Sequence, residues 1–275
     1  MAHMHYVACS RVTTLQGLNI KNFDATKIAV SKDAQLEMQR LRNNPPTTEI
    51  QLQHPSKLSI LYVNAQSLHR HFSDVANDPS VLRSDIVICS ETRFLQSDTT
   101  TNLTGFKAYH LLETPSTAMP TTRPFHGTTA FVKDDIVTSR PVTQSYDGIE
   151  TITFTTVQQS TGKRINIIGL YSPPATPSRN ILATLSNIAA QVNLTAPTVV
   201  LGDFNVDIST SSPKATQLLQ FFQELGYSPY PQDIPTTDGM TKIDLIFTNC
   251  KQDEFSTGVV ETYYSYHKAL WISFY

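Results

Sequence analysis

Residues 197–207 read P-T-V-V-L-G-D-F-N-V-D. Val199-Val200-Leu201 is an apolar run of the kind that forms a buried strand. The run stops at Gly202, and Asp203 and Asn205 follow two residues apart. In extended chain such residues share a face, so a carboxylate and an amide are expected side by side at a strand end. Strand ends are where open α/β sheets bind ligands. Read blandly, the same D-x-N is a polar loop that caps a helix. The flanking chain has to separate the two readings.

Toward the C-terminus, Ser212-Pro213 supplies an N-cap and a proline at the first helical position, and Leu218, Phe221, Phe222 and Leu225 continue a helix that Gly226 stops. Lys242–Phe247 reads as a strand carrying Asp244, and Ala269–Tyr275 as a strand just after His267. Toward the N-terminus, Ser178–Val192 has helical spacing of Ile181, Leu182, Leu185 and Ile188. Strands are expected at Arg164–Leu170, ending at Tyr171, and at Glu150–Val157 and His126–Lys133. The polar, Thr- and Pro-rich stretch 98–123 reads as surface loops around one strand. Asp85–Cys89 is a buried strand ending at Glu91. Leu58–Val63 is another, ending at Asn64, with a helix from Ser67 to about Asn77. This alternation predicts an α/β fold.

One event recurs: a polar group closes an apolar strand at Asn64, Glu91, Tyr171 and Asp203 with Asn205, and His267 lies beside another. Repetition of this kind predicts strand ends converging on one polar pocket. The residue types suit a single chemistry. Glu91 and Asn64 offer oxygen to Mg²⁺, which takes few protein ligands and keeps water and phosphate oxygens. A buried Asp244 would orient His267 and favour its charged form. Asn205, Asn64 and Tyr171 can donate hydrogen bonds to a crowded phosphorane. Together they describe metal-assisted phosphodiester hydrolysis. The reading requires the Glu91 carboxylate and the His267 imidazole to lie within about a dozen ångströms of each other.

Totals bound the alternatives. The chain has 275 residues with 40% hydrophobic and 16% charged residues, which supports a sizeable core. Net charge is −2, so no global basic field draws it to nucleic acid, and any DNA contact must be local. The three cysteines, Cys9, Cys89 and Cys250, have neither zinc nor disulfide spacing, which suits a reducing compartment. No apolar run is long enough to span a membrane, and the N-terminus lacks a signal-peptide pattern. A nuclear or intracellular monomer without membrane contact is the expectation. Residues 1–4, M-A-H-M, have the composition of an expression-vector remnant.

The ordered set N-A-Q-S-L at 64–68, S-E-T at 90–92, Y-S-P-P at 171–174, G-D-F-N at 202–205 and K-I-D-L-I-F at 242–247 resembles the endonuclease/exonuclease/phosphatase superfamily. That group includes DNase I, apurinic/apyrimidinic endonucleases and LINE-type retrotransposon endonucleases, and the LINE-type branch is the most similar. The resemblance spans residues 57–275. It implies a DNase I-like two-sheet α/β sandwich with flanking helices, and a Mg²⁺-dependent endonuclease, with Mn²⁺ as the alternative ion, acting on DNA. It implies that Glu91 and Asn64 hold the metal and that Asp203 orients or deprotonates water. Asn205 and Tyr171 would contact the scissile phosphate, and His267 with Asp244 would stabilise its charge or serve as base. One departure stands out: the family's final S-D-H motif is here Ser265-Tyr266-His267. That puts two-metal occupancy in doubt and keeps two other readings open, a catalytically weakened DNA-binding module and a small-molecule phosphoesterase.

Residues 5–44 differ in character. His5–Leu18 closely resembles the last conserved motif of Pif1-type helicases, in which the arginine, here Arg11, contacts the nucleotide's γ-phosphate. No G-x-x-x-x-G-K-[ST] loop is present, so this piece is no ATPase by itself. Residues 45–56 read as a linker. A helicase tail followed by a LINE-like endonuclease resembles the Rep-helicase proteins of Helentron and Helitron transposons. That implies a helicase body upstream and a nuclease that nicks DNA for transposition, leaving 3′-hydroxyl and 5′-phosphate ends.

Overall fold

The computed structural model describes residues 58–98, 100–112 and 125–275, all within the chain unit Ile50–Tyr275. The expected helicase-like tail with Arg11, the linker at 45–56 and residues 1–4 lie outside the described residues.

Two six-stranded sheets form the frame. The first contains β1 (Leu58–Asn64), β2 (Ile86–Ser90), β3 (Phe106–Leu111), β4 (Thr128–Lys133), β11 (Phe255–Val260) and β12 (Ala269–Phe274), in the order β11-β12-β1-β2-β4-β3. The second contains β5 (Val142–Tyr146), β6 (Ile149–Val157), β7 (Arg164–Tyr171), β8 (Thr198–Asp203), β9 (Ser228–Tyr230) and β10 (Asp244–Thr248), in the order β5-β6-β7-β8-β10-β9. Each sheet has one parallel pair, β1 with β2 and β7 with β8, and antiparallel pairs elsewhere. Parallel neighbours need a crossover. It is provided by helices α1 (Leu68–Asn77) and α2 (Pro79–Arg83) in the first sheet and by α3 (Ser178–Gln191) in the second, while α4 (Pro213–Glu224) follows β8.

The strands are apolar on both faces because both faces are covered. In β1, Leu58, Ile60 and Tyr62 point into the core between the sheets, together with Ile88, Ile167 and Leu201. The alternate residues Leu61 and Val63 pack with Leu68 and Val75 of α1. In the second sheet, Leu170 and Val200 pack with Ile181 and Leu185 of α3 and with Phe222 of α4. The caps follow the residue chemistry: Ser67 accepts from the Arg70 N–H and Ser212 from the Ala215 N–H.

The strands expected to end at Asn64, Glu91, Tyr171 and Asp203 are present within a residue or two. Three strands were not expected. The β5–β6 hairpin turns on Asp147 and Gly148, both at positive φ, the Asp-Gly pattern of a tight hairpin. β9 and β11 are short or only partly apolar, so alternation does not reveal them. One geometric expectation is corrected. Asp203 closes β8, but Asn205 stands at φ 48°, so D-F-N is a turn and not an extended segment with a shared face. The Asn205 N–H bonds the Asp203 Oδ1 at 2.9 Å, and this local bond outcompetes continuation of the strand.

Candidate functional site

Side chains from both sheets meet at one rim. Asn64, at the end of β1, is fully buried. Its Nδ2 donates to Glu91 Oε1 at 2.9 Å and to Asp203 Oδ2 at 3.0 Å. One amide nitrogen thus holds a carboxylate of the first sheet and one of the second no more than about 6 Å apart. Its Oδ1 accepts from the Gln66 N–H at 3.0 Å, and no hydrogen bond places it as the cap of α1.

Glu91 follows β2 at φ 50° and keeps 17% side-chain exposure, which leaves it facing the rim. Its Oε1 also accepts from the Tyr171 hydroxyl at 3.3 Å, and its Oε2 pairs with Arg93 Nη2 at 3.4 Å. Tyr171 closes β7 with its ring against His126, the centroids 5.5 Å apart. Burial, followed by the charges of Glu91 and Asp203, raises the Tyr171 phenol, so it is a donor at neutral pH.

Asp203 and Asp244 are opposed directly across the antiparallel β8–β10 pair. Both are buried, and His267 is buried with them. His267 Nδ1 donates to Asp244 Oδ2 at 2.8 Å, and its Nε2 lies 4.0 Å from Asp203 Oδ2. Burial works against the imidazolium. The bond and charge of Asp244, with Asp203 and Glu91 behind it, outweigh burial and raise the His267 pKa. Burial and then the Asp244 charge push Asp203 up to about 8, although His267, Asn64 and Asn205 all oppose the rise. Burial raises Asp244 as well, against its bond to His267. This is a surplus of carboxylate around one imidazole.

His267 is fixed by its backbone. Its N–H donates to Ser265 Oγ at 3.1 Å, and Thr237 bridges to it across an antiparallel contact. Ser265 Oγ in turn donates to the Asn64 carbonyl at 2.7 Å, which joins the His267 loop to the end of β1. Tyr266 lies over the imidazole with ring centroids 4.2 Å apart. Asn205 Nδ2 donates to the Ser172 carbonyl at 2.8 Å, which leaves one amide hydrogen for a ligand.

All seven expected residues of this domain therefore gather in one place. The contacts from Glu91 through Asn64 and Asp203 to His267 bound the Glu91–His267 separation at about 10 Å, inside the required dozen. Donor chemistry fits a divalent cation in two overlapping ways, through Glu91 with Asp203, or through Asp203, Asp244 and His267, whose ligand atoms lie within 4.8 Å of one another. In the second set the Asp244–His267 hydrogen bond occupies Nδ1 and Oδ2, which leaves Nε2 of His267 and Oδ1 of Asp244 as the remaining donor atoms. The carboxylate surplus itself favours a cation.

Two residues, Tyr62 and Glu150, escaped sequence reading, and Arg93 is legible there only as one of several basic residues, with Arg70, Arg123, Lys133 and Lys242, that could form a local DNA-facing patch. Tyr62 accepts from the Asp203 N–H at 2.9 Å and shares a 2.6 Å bond with Ser90 Oγ, tying the two sheets beneath the site. Glu150, buried on β6, accepts from the Gly127 N–H at 2.9 Å and the Thr128 hydroxyl at 2.7 Å. Arg93, at φ 54°, carries the ion pair to Glu91. Tyr62 and Glu150 sit inside strands of ordinary composition, and nothing in their neighbours marks them. Arg93 does follow S-E-T at the strand end, which is a usable signal.

Residues 165–270 match the family model described as Endonuclease-reverse transcriptase. Among solved structures, the chain is similar to the endonuclease domain of TRAS1, a telomere-specific non-LTR retrotransposon, at 16% identity and TM-score 0.56, covering 79% of this chain and 98% of that one. The AP endonuclease LMAP of Leishmania major aligns at 12% identity and TM-score 0.61, covering 83% and 91%. An endonuclease/exonuclease/phosphatase family protein of Bacteroides thetaiotaomicron aligns at 14% identity and TM-score 0.58, covering 80% and 98%. No curated protein matches the chain in sequence. The two mixed sheets with flanking helices have the DNase I-like α/β sandwich fold of these neighbours, and residues 165–270 match the Endonuclease-reverse transcriptase model.

Proposed function

We propose that residues 57–275 are a divalent-metal-dependent phosphodiester hydrolase that nicks DNA, leaving 3′-hydroxyl and 5′-phosphate ends. The observation that carries this reading is the amide bridge of Asn64, which brings Glu91 and Asp203 together beside the His267–Asp244 pair. The retrotransposon neighbour and the family model support a mobile-element setting.

Glu91 and Asp203, with Asn64 beside them, would hold Mg²⁺ or Mn²⁺, which when bound supplies charge neutralisation at a phosphoryl oxygen. The chain's own groups do the rest. Asp244 accepts from Nδ1–H and favours the charged imidazolium, whose Nε2–H is left to donate to a non-bridging phosphate oxygen. Asp203, when ionised, accepts the proton of the attacking water. The remaining amide hydrogen of Asn205 and the Tyr171 hydroxyl bind the phosphate and orient it for in-line attack.

The test is conversion of supercoiled plasmid to the nicked form in Mg²⁺ by wild type, Glu91→Ala and His267→Ala. Wild type is expected to nick, and each variant to lose at least about a hundredfold in rate. The stacking of Tyr266 on His267, where the resembling family has aspartate, favours one second reading, a DNA-binding module with weakened catalysis. Plasmid retained in a gel shift but never nicked would select it. Turnover of small phosphoesters without nicking would select a phosphoesterase instead.

A further inference from the structure

We propose that the nucleic acid entering this site is unpaired DNA, single-stranded or extrahelical, held by stacking its bases on Tyr266 and Phe125. The inference rests on the nuclease reading and names its substrate class.

Two large aromatic side chains stand out of the surface beside the site, Tyr266 at 46% exposure and Phe125 at 64%. Neither is a stray apolar residue. The Tyr266 ring meets His267 on one side, and its backbone is pinned on both flanks. Its N–H donates to Gln66 Oε1 at 3.1 Å, and its carbonyl accepts from the Asp238 N–H at 3.0 Å. Phe125 receives the Arg93 guanidinium 5.7 Å from its ring centroid. Arg93 also reaches Glu91, and its N–H bonds the carbonyl of His126, the residue next to Phe125. One aromatic platform therefore adjoins the imidazole and the other adjoins the Glu91 carboxylate.

Charge points the same way. A protein held mainly by phosphate contacts, about six to ten of them, loses about 10³–10⁵ in affinity between about 50 and 200 mM salt. Here Arg93 is paired with Glu91 and Lys268 with Glu261 at 2.8 Å, while Lys214, bonded to the Asn205 carbonyl at 3.2 Å, keeps its charge for a backbone phosphate. The whole chain carries −2. Base stacking adds to backbone contacts whatever the base, but it requires a free base face. In a duplex those faces are covered by neighbouring base pairs. Aromatic platforms on two flanks of the site fit a strand whose bases are open.

The experiment uses the full 275-residue chain in EDTA, so that nothing is cleaved, and follows fluorescence anisotropy of a labelled oligothymidine and of a paired hairpin. Oligothymidine is expected to bind at least about tenfold more tightly than the hairpin. Tyr266→Ala and Phe125→Ala should each weaken it roughly tenfold, Tyr266→Phe should retain it, and Val142→Ala on the exposed edge of β5 should bind as wild type. Raising salt from about 50 to 200 mM should cost only about tenfold, the slope of two or three phosphate contacts. Tighter binding of the hairpin, wild-type binding by both alanine variants, or preference for oligouridine RNA would overturn the proposal. A nicking comparison in Mg²⁺ separates it from the reading beneath it. Paired DNA cut as fast as a bubble of the same sequence, with His267→Ala inactive, removes the substrate proposal and leaves the nuclease. Failure to nick any DNA removes both.

Discussion

At the scale of single residues, Gly202 shows how little freedom the site's frame has. A Cβ there would sit 1.8 Å from the Leu170 carbonyl oxygen, a backbone atom of the neighbouring strand that cannot swing away. The glycine before Asp203 is therefore a packing requirement of β7 against β8, and chemistry enters only at the next residue. Gly202→Ala is expected to destabilise the chain by more than about 3 kcal/mol, seen as a large drop in the urea midpoint. Gly127 is similar, since at φ 104° a Cβ would lie 2.5 Å from Thr92 Oγ1, next to Glu91 and Arg93. Asn64 was expected as a metal ligand; its amide is found bridging Glu91 and Asp203, a hydrogen-bonding job that its residue type alone does not distinguish from ligation.

At the scale of elements, the β8–β10 register decides the electrostatics. It sets Asp203 opposite Asp244, an arrangement that repulsion disfavours unless a proton or a cation intervenes. His267, delivered by the segment before β12, supplies the intervening charge. The folded chain raises Asp203 from 3.8 to about 8, and so holds a proton there that the unfolded chain has released. The contribution to stability is present below about pH 4 and is lost as pH rises toward about 8, because in that window the native state binds the extra proton. His267 is raised too and acts in the same direction. In metal-free protein, the thermal midpoint of wild type relative to Asp203→Asn should fall as pH is raised from about 4 to about 8. Added Mg²⁺ should restore wild type at the upper end and leave the variant nearly unchanged. A difference that grows with pH would contradict the assignment.

At the scale of the molecule, the site lies where two sheets meet, and its precision depends on ties between them. Tyr62 crosses from β1 to the backbone of Asp203. Glu150 crosses from β6 to Gly127 and Thr128 at the start of β4. Removing the Glu150 carboxylate would leave a buried N–H and hydroxyl without their acceptor. Glu150→Ala should cost about 2–4 kcal/mol of stability by denaturant unfolding and should lower nicking more than it weakens DNA binding. The bonds of Glu150 to Gly127 and Thr128 join the two sheets, so a loss of rate would report the sheets' relative placement.

The amino-acid sequence by itself determined the alternation of strands and helices, the cap at Ser212, and the closure of apolar runs by Asn64, Glu91, Tyr171 and Asp203. Those features are local, written in periodicity and in the few residue types that end a strand. β5 was not read despite the local Asp147-Gly148 turn that follows it, and β9 and β11 were too short or too polar to announce themselves. Only the tertiary structure decided that Asp244 faces Asp203, that one amide holds two carboxylates, and that Tyr62 and Glu150 join the sheets. Register, burial and inter-sheet contact arise between segments far apart in the chain, and the desolvation that lifts Asp203 exists only once both sheets have closed over it.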